Sequence, residues 1–302
     1  MIQIQDLDLK LLRVFDAVVR CGGFSAAQAE LDVGQPTISA QIGQLEVRLG
    51  VRLCERGRAG FRLTEQGRGA HEAIQRLLGA IDVFRNEAET FRKVSSGTLN
   101  VGVIDNTVTD AESPLLRIVE KFLARGPHVN LHFQIGPPGD LQQQVLDGRL
   151  HLAIGHFPFG VPGLVSRPLY EEIHGLFSHA RHPYAKAAWR GAELQQQLQS
   201  ARVVARGYLR RRDLELLGVP AATSVADNLE AQVIVILAAG MVGFLPLHYA
   251  AHWVKQGQLV RIFPNQMELK SKFTAVTRRA SPVPLLRDFL ADLEACAPNR
   301  ER

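Results

Sequence analysis

The chain has 302 residues, of which 46% are hydrophobic and 22% charged, and its formal net charge is +5. This length and balance predict a folded protein of more than one domain, and the basic excess permits contact with nucleic acid without requiring it. Three widely spaced cysteines argue against a disulfide framework or a cysteine metal site, and they predict reduced thiols.

The sequence predicts no targeting signal and no membrane span. Polar residues lead into Asp6 and Asp8, and no basic segment followed by an apolar stretch is visible at the start of the chain, so we expect no signal peptide. The longest apolar run, residues 233–247, is too short to cross a bilayer and contains two glycines and a proline. We therefore expect a cytoplasmic protein without a membrane partner.

A helix-turn-helix pattern occupies residues 24–49. The first helix is predicted over residues 25–31, and the second begins near Gln35, with Pro36 suited to its first turn. Ile38, Ile42, Leu45 and Leu49 recur at helical spacing and predict a buried face. The opposite face carries small and short polar groups, which suit close approach to base edges in a major groove. That predicted exposed face includes Thr37, Ser39, Ala40, Gly43, Gln44 and Val47.

An arginine-rich hairpin is predicted next, with strand-like segments at 52–56 and 61–64 around a turn at 57–60. Its five arginines oppose one glutamate, Glu55, which gives a local charge of about +4 and favours DNA phosphates. Residues 1–63 hold eight Lys or Arg against seven Asp or Glu, so the local cluster and not the net charge supports DNA contact. On its own, a run of five arginines could be an ordinary solvated surface. Next to a predicted helix-turn-helix, the same run favours contact with DNA. The arginines are Arg48, Arg52, Arg56, Arg58 and Arg62.

Residues 8–67 resemble the winged helix-turn-helix of LysR-type bacterial transcriptional regulators. Most members have a basic residue where this chain has Ala40, and an aromatic residue where it has Cys54, which we expect to be a core residue and not a redox sensor. The matching positions are Phe15, Phe24, Ser25, Ala27, Ala29, Leu31, Gln35, Pro36, Ser39, Ile42, Leu45, Glu46, Leu49, Gly50, Leu53, Glu55, Arg56, Leu63, Thr64 and Gly67. The predicted DNA-binding residues are Ser25, Gln35, Pro36, Thr37, Ser39, Ala40, Gln41, Arg56, Arg58 and Arg62.

A long helix is predicted from Thr64, a suitable capping residue, to about residue 94. Its heptad repeat favours a coiled coil and therefore dimerisation, although one amphipathic helix packed on its own domain is the alternative. A two-fold pair of reading helices matches an inverted repeat in double-stranded DNA. The family resemblance implies that such homodimers pair into homotetramers, and RNA polymerase is a further expected partner. The predicted dimerisation residues are Ala70, Ile74, Leu77, Ile81, Phe84, Ala88 and Phe91.

Beyond residues 95–97 strands alternate with helices, which predicts an α/β sheet. The resemblance implies two α/β lobes related to type 2 periplasmic binding proteins, with a ligand cleft between them. The expected domains are 1–63 (winged helix-turn-helix), 64–94 (dimerisation helix) and 95–302 (effector-binding), with lobes of about 98–165 plus 268–302, and 166–267. Strands are predicted at 98–104, 129–135, 152–155, 174–177, 202–204, 242–245 and 273–276, and helices at 113–125, 139–148, 208–218, 227–239 and 284–295.

Small molecules bind such sheets at the carboxyl ends of strands and at helix N-termini. Three candidate loops follow from this rule: residues 105–107, residues 136–139, and residues 223–224 with 227–228. In the second loop, Pro137 and Pro138 replace the hydroxyl residues that carboxylate-binding relatives often carry, while Asp105 adds an acceptor in the first. Ordinary turn and capping roles explain each residue about as well. Arg206 and the run 210–212 could attract an anion, but a charge run is usually a solvated face. The predicted effector-binding residues are Asp105, Asn106, Thr107, Gly136, Pro137, Pro138, Thr223, Ser224, Asp227 and Phe244.

The sequence offers no site for catalysis. His248 and His252 lie one helical turn apart but have no third ligand by motif, and no hydrolase, metalloprotease or phosphate-binding motif is present, so we expect no enzyme, metal or cofactor. A transport solute-binding protein would need export. The predicted function is that of a sequence-specific DNA-binding transcriptional regulator, controlled by a small-molecule effector and associated with the bacterial nucleoid when bound to DNA. The alternative is an intracellular small-molecule-binding module or enzyme with an appended winged-helix domain.

Overall fold

A computed structural model describes residues 6–57, 60–90, 97–209, 212–279 and 283–296. The chain divides into two compact units, Met1–Arg85 with Asp147–Arg149, and Asn86–Leu146 with Leu150–Arg302. No helix in the described ranges is both long and apolar enough to cross a bilayer.

The first unit consists of helices packed beside a two-stranded hairpin. Its core joins the apolar faces of the first and third helices, with Phe15, Ile38 and Ile42 fully buried. Cys54 lies in the same core, as expected for a packing residue. The elements are α1 (Asp6–Arg20), α2 (Gln28–Leu31), α3 (Gln35–Leu49), β1 (Cys54–Gly57), β2 (Gly60–Leu63) and α4 (Glu65–Thr90).

Both predicted segments of the helix pair are helices, but their bounds agree with the prediction only in part. Helix α2 begins later than predicted, because the residues before it form a turn in which the Ala27 N–H donates to the carbonyl of Gly23 (3.1 Å). Helix α3 begins at Gln35 as predicted and ends at Leu49, and the next residue, Gly50, caps it in the left-handed conformation that favours glycine. Helix α1 was not predicted as an element.

Helix α4 begins where the sequence predicted. The Thr64 hydroxyl accepts a hydrogen bond from the N–H of Gly67 (2.9 Å) and donates one to the carbonyl of Arg52 (2.7 Å). Thr64 therefore caps α4 and ties its start to the segment that enters the hairpin.

The second unit contains one seven-stranded sheet with helices around it. Six strands are hydrogen-bonded in the order β10-β6-β11-β5-β3-β4, and the seventh, β9, pairs antiparallel with residues 174–177 of β6. The elements are β3 (Gly97–Val103), α5 (Leu115–Leu123), β4 (Val129–Ile135), α6 (Pro138–Leu146), β5 (Leu152–His156), β6 (Leu164–His179), α7 (Gly191–Gln199), β7 (Val204–Arg206), α8 (Arg212–Leu217), β8 (Ser224–Ala226), α9 (Leu229–Ala239), β9 (Gly243–Pro246), α10 (Leu247–Lys255), β10 (Leu259–Ile262), β11 (Glu268–Arg278) and α11 (Pro284–Cys296).

Two long strands connect the two halves of this unit. The sequence predicted only short strands at 174–177 and 273–276, whereas β6 and β11 are long and pair antiparallel along the whole of β11. The first lobe comprises β3–β5, α5, α6, α11 and the adjoining ends of β6 and β11. The second lobe comprises β7–β10, α7–α10 and the other ends of those strands. Each lobe has apolar clusters on both faces of its part of the sheet.

Candidate functional site

The exposed face of α3 lies where the sequence predicted it. Ile38, Ile42 and Leu45 are buried in the core, whereas Ala40 is exposed and Val47 keeps 83% of its surface in solvent. Thr37 and Gln44 are also exposed, while Ser39, Gln41 and Gly43 are half-buried. Small and short polar groups on an exposed helix face permit the close approach that reading a DNA groove requires.

Side-chain hydrogen bonds hold the start of α3 against α2. The Ser25 hydroxyl donates to Gln35 Oε1 (3.1 Å), and the N–H of Gln35 donates to Gln28 Oε1 (3.2 Å). Gln28 Nε2 returns a hydrogen bond to the carbonyl of Ser25 (3.2 Å). The predicted contact residues Ser25 and Gln35 are therefore held at a fixed position at the N-terminal end of the exposed helix, although Pro36 beside them makes no such bond.

The hairpin is positioned by α3. Glu46 Oε1 accepts hydrogen bonds from the N–H groups of Leu53 (2.8 Å) and Cys54 (3.3 Å), so the hairpin begins at Cys54 rather than at residue 52 as predicted. Arg56 pairs with Phe61 across the antiparallel strands. Arg48, Arg52 and Arg62 are exposed, and Arg58 lies outside the described residues.

An ion network stabilises the packing of the first unit. Asp16 Oδ1 lies 3.0 Å from His71 Nε2 of α4, and its other oxygen accepts from Arg20 (2.9 Å), which also pairs with Glu30. Burial opposes ionisation of Asp16, but the hydrogen bonds from His71 and Arg20 outweigh it and hold its pKa below the usual value. The network links α1 to α2 and α4.

The heptad positions of α4 divide into two groups. Ala70, Ile74 and Leu77 pack against the core of the first unit, which is the packing expected of an amphipathic helix on its own domain. The coiled-coil seam stays a prediction for the series as a whole. Farther along, Ile81 is half-buried and Phe84 is 67% exposed. The side chain of Ala88 and the whole of Phe91 lie outside the described residues.

In the second unit, the first candidate loop contacts the opposite lobe. Asp105 Oδ2 accepts hydrogen bonds from the N–H of Leu229 at the start of α9 (2.7 Å) and from Asn106 Nδ2 (2.9 Å). Asn106 has a φ of 61°, a left-handed conformation that asparagine tolerates, and Thr107 is buried. Asp105 therefore occupies the helix N-terminus at which an anionic ligand would otherwise find a free donor.

The other predicted effector residues have structural roles. The N–H of Gly136 donates to the carbonyl of Val103 (3.3 Å), Pro138 begins α6, and Pro137 is exposed. Thr223 and Ser224 bond to the backbone of Val203 at the start of β8. Asp227 is exposed just before α9. Phe244 is completely buried among apolar side chains of the second lobe, a position that supports packing and not ligand contact.

A buried polar cluster, which the sequence did not predict, joins the two lobes. We define it as Asp110, Glu172, His174, Arg206 and His248. His248 Nε2 donates to Glu172 Oε1 (2.9 Å) and lies 3.8 Å from Asp110 Oδ2. His174 Nε2 lies 2.6 Å from Glu172 Oε2. His248 Nδ1 is also hydrogen-bonded to the exposed Thr109 hydroxyl (2.8 Å), so the cluster reaches the surface beside the first candidate loop.

The protonation of the cluster follows from its burial and contacts. Burial opposes ionisation of Glu172, but the contacts with His174 and His248 outweigh it and lower the pKa of Glu172 to about 2. Burial and the nearby Arg206 lower the pKa of His174 to about 4. Burial raises the pKa of Asp110. At neutral pH, Glu172 is therefore an anion beside a neutral His174.

Arg206 is not part of a solvated face, whereas Arg212 is exposed as expected; residues 210–211 lie outside the described residues. The Arg206 side chain is 3% exposed at the end of β7. Nη1 donates to the Tyr208 hydroxyl over a long 3.4 Å, and Nε lies 3.7 Å from Asp213 Oδ2. Within the described part of the chain, Nε and Nη2 have no hydrogen-bond partner.

Nearby strand residues continue this polar surface. Glu172 pairs with Ser271 across β6 and β11, and His156 pairs with Phe273 across β5 and β11. The Ser271 hydroxyl and His156 Nε2 are buried, and neither has a hydrogen-bond partner among the described residues. One signal was visible in the sequence: Glu172, His174 and Ser178 occur at even spacings, which places them on the same face of a strand.

A cation could be ligated by one part of the cluster. Ligand atoms of Asp110, Glu172 and His248 lie within 4.8 Å of one another. His252, the residue paired with His248 in the sequence analysis, is instead exposed, and its Nε2 lies 3.1 Å from Gln256 Nε2. The spacing of the two histidines was therefore not the relevant signal.

Comparison with known proteins supports both units. Residues 9–68 match the model of the bacterial regulatory helix-turn-helix protein, lysR family, and residues 92–297 match the LysR substrate binding domain. The chain is 34% identical to the HTH-type transcriptional activator BauR of Pseudomonas aeruginosa over 295 residues, 95% of each chain. It is 28% identical to the transcriptional regulator BenM of Acinetobacter baylyi over 190 residues, 62% of this chain and 60% of BenM.

Solved structures of full-length regulators share the fold. CbnR complexed with its target DNA aligns with a TM-score of 0.66 at 21% identity, covering 96% of this chain and 99% of CbnR. Full-length OxyR from Pseudomonas aeruginosa aligns with a TM-score of 0.61 at 22% identity, covering 99% of each chain. The relatives named here are transcriptional regulators. Since the two family models cover both units and the similarity to BauR extends over nearly the whole length, the chain belongs to the LysR family and is a DNA-binding transcriptional regulator with an effector-binding domain.

Proposed function

We propose that this regulator responds to a small molecule bound between the two lobes of its effector-binding domain. The observation that carries the proposal is the buried polar cluster, in which groups from both lobes meet and Arg206 retains donors without partners. Buried polar atoms without partners are rare in folded proteins because they are costly, and they are common where a ligand supplies the missing bonds.

The same ligand would control how the lobes are set relative to each other. Asp105 bonds to Leu229, and Thr109 bonds to His248; both bonds run from the first lobe to the second. A ligand that changes these bonds favours one arrangement of the lobes only if it binds the two arrangements with different affinity. Asn106, Thr107, Gly136, Pro137, Pro138, Thr223, Ser224 and Asp227 would then belong to the loops around the site.

DNA recognition is proposed to use the exposed face of α3 and the hairpin. Two α3 helices related by a two-fold axis would read the halves of an inverted repeat in double-stranded DNA. Exposed arginines such as Arg62 suit phosphate contacts, which add affinity without sequence preference. The proposed reading residues are Ser25, Gln35, Pro36, Thr37, Ser39, Ala40 and Gln41.

Assembly is proposed to use the distal part of α4. Phe84 is a large apolar side chain with most of its surface exposed, and it lies beyond the residues that pack on their own unit. Such a side chain suits a partner helix. We propose a homodimer joined there, a homotetramer formed from two dimers, and contact with RNA polymerase at the promoter. The proposed division is 1–63 for DNA, 64–94 for dimerisation and 95–302 for the effector.

The decisive experiment is genome-wide capture of bound DNA, followed by footprinting of the strongest site with and without candidate metabolites. We expect protection of an inverted repeat that changes with one metabolite. In binding assays, Gln35→Ala and Ser39→Ala should weaken specific binding about 5- to 100-fold and non-specific binding much less. Arg62→Ala should weaken both, and Gln196→Ala on the exposed side of α7 is the matched control. Equal losses on all DNA sequences for the first two variants would refute the assignment of the reading face.

A further inference from the structure

The part of the buried polar cluster around Asp110 carries more negative than positive charge. The side chains of Asp110 and Glu172 are 7% and 6% exposed, so both carboxylates are almost completely removed from solvent. His248, which lies beside both, has one Nε2–H, and this group donates to Glu172 Oε1 (2.9 Å). An imidazole carries at most one positive charge and cannot compensate two carboxylates. Arg206 is paired with a third carboxylate, Asp213 (3.7 Å).

One carboxylate oxygen in this part of the cluster lacks a partner. Asp110 Oδ2 is buried and forms no hydrogen bond within the described ranges, while Oδ1 accepts from the N–H of Glu112 (3.0 Å). The buried Tyr170 hydroxyl lies near this carboxylate, but it too is without a hydrogen-bond partner among the described residues. Oδ2 faces the cluster, because it lies 3.8 Å from His248 Nε2. A buried carboxylate oxygen without a partner is costly, so a cation at this point would stabilise it.

Three ligand atoms converge at this point. Asp110, Glu172 and His248 each offer one, and these atoms lie within 4.8 Å of one another. Ligand atoms at about 2.1 Å from a tetrahedral zinc ion stand about 3.4 Å apart. The distances from His248 Nε2 to Glu172 Oε1 (2.9 Å) and to Asp110 Oδ2 (3.8 Å) bracket that value. Small side-chain movements would therefore bring the three atoms to coordination distance from one ion.

The neighbours of these ligand atoms also suit a metal. The Thr109 hydroxyl is hydrogen-bonded to His248 Nδ1 (2.8 Å). When Nδ1–H donates to that hydroxyl, the lone pair of Nε2 is free for a metal ion, and histidine ligands are usually held in this way. Binding therefore requires a change of tautomer, in which the ring proton moves from Nε2 to Nδ1. His174 Nε2, 2.6 Å from Glu172 Oε2, holds the second carboxylate in place and leaves Oε1 for the ion.

We propose that Asp110, Glu172 and His248 bind one divalent transition-metal ion. Its two positive charges match the two carboxylates, and a set of one imidazole and two carboxylates suits Zn²⁺ or Mn²⁺ better than the oxygen-only sites of Mg²⁺ and Ca²⁺. Asp110 follows β3 in the first lobe and His248 lies on α10 in the second, so the ion joins the two lobes. We expected no metal from the sequence, since these ligands come from three segments far apart in the chain. The inference goes beyond the proposed function, because an ion at this site needs no small-molecule effector.

The first test is calorimetric titration of the chelator-treated, full-length protein with Zn²⁺. We expect one ion per chain with a dissociation constant of about 1 μM or below. Asp110→Asn and His248→Gln each remove one ligand and should weaken binding about 100-fold or more, whereas Thr109→Val removes only the bond to Nδ1 and should weaken it about 10-fold. Asp140→Asn and His252→Gln, both exposed and the second on the same helix as His248, are the matched controls and should bind as the wild type does.

X-ray absorption of the zinc-loaded wild type tests the site even if a variant fails to fold. The spectrum should show nitrogen and oxygen ligands at about 2.0–2.2 Å, with one imidazole and no sulfur. Two or more imidazoles, or a cysteine sulfur, would overturn the proposal. Zn²⁺ binding that is unchanged in folded Asp110→Asn and His248→Gln belongs to other side chains and would overturn it too, as would the absence of binding by Zn²⁺, Mn²⁺ and Co²⁺ below about 1 mM.

Footprinting separates this inference from the proposed function. If the metal-free protein responds to a metabolite on DNA and Zn²⁺ does not bind through the three ligands, the metal site is wrong and the small-molecule effector remains. If Zn²⁺ binds through the three ligands and no metabolite alters the DNA complex, the metal site stands and the proposed effector response fails.

Discussion

Replacement of Gly67 by alanine should disrupt the junction between the hairpin and α4. A Cβ atom at this position would lie 1.9 Å from the carbonyl oxygen of Leu53 and 2.8 Å from its carbon, whereas real Cβ contacts are essentially never shorter than 3.0 Å. The neighbour is backbone and cannot rotate away, so the two segments must separate by more than an ångström. Overpacking of this kind costs about 1–3 kcal/mol and sometimes more.

The helix itself supplies a matched control two residues away. Gly69 is also in α4, but a Cβ there meets no atom within 4 Å. Gly69→Ala should therefore stabilise the helix by about 1 kcal/mol, the usual gain in helix propensity. Since Gly67→Ala gains the same propensity, the two variants should differ by about 1–3 kcal/mol, which is the cost of the clash.

Calorimetry of the full-length protein and hydrogen exchange of α3 and α4 measure this difference. We expect a lower transition temperature for Gly67→Ala, faster exchange of the hairpin amides, and weaker binding to specific DNA. Gly69→Ala should match or exceed the wild type in all three. Equal transition temperatures and equal exchange in both variants would refute the inference that α4 requires close approach to Leu53.

The remaining predictions concern pH, an ion pair and assembly. Burial lowers the pKa of His151 and His174 from 6.5 to about 4. As the pH falls through this range, the two histidines are protonated in the unfolded chain but stay neutral in the folded protein. The free energy of unfolding should then decrease by up to about 3 kcal/mol for each histidine, and a urea midpoint that is unchanged between about pH 7 and pH 5 would contradict this. Asp292 accepts a hydrogen bond from Arg125 (2.5 Å), so Asp292→Asn should lower the free energy of unfolding by about 1–2 kcal/mol in urea titrations at neutral pH and by much less in acid. Asp288→Asn is the control, because Asp288 lies farther from Arg125 (4.0 Å). Phe84→Glu should lower the molar mass seen in sedimentation, and an unchanged mass would exclude Phe84 from the assembly interface.

Local patterns predicted the elements of the first unit well. The buried face of α3 and the cap at Thr64 each depend on residues no more than one or two helical turns apart in the sequence. The structure has both features where the sequence predicted them. The heptad series was less reliable, because the same apolar spacing serves a partner helix or the helix's own domain. Ile74 lies in the core of the first unit, and only tertiary packing decides between these two uses.

The buried polar cluster could not be predicted because its members are distant in sequence. Asp110, Glu172, Arg206 and His248 belong to separate elements that the fold brings together, and Arg206 lies beside a basic run that resembles an exposed surface. The effector loops were predicted from strand ends alone. That rule found Asp105, whose carboxylate contacts the second lobe, but it also selected Phe244, which is a core residue.

The pairing of β6 with β11 has a mechanical consequence. The two strands form a continuous ribbon that passes through both lobes, and its ladder is interrupted by a bulge at Phe273 and Thr274, where Phe273 stacks on Tyr170 at 4.7 Å. A bulge leaves one residue of its strand without a ladder partner, bends that strand and increases its local twist. Because both lobes share these two strands, the geometry at Phe273 and Thr274 contributes to the angle at which the lobes are set relative to each other.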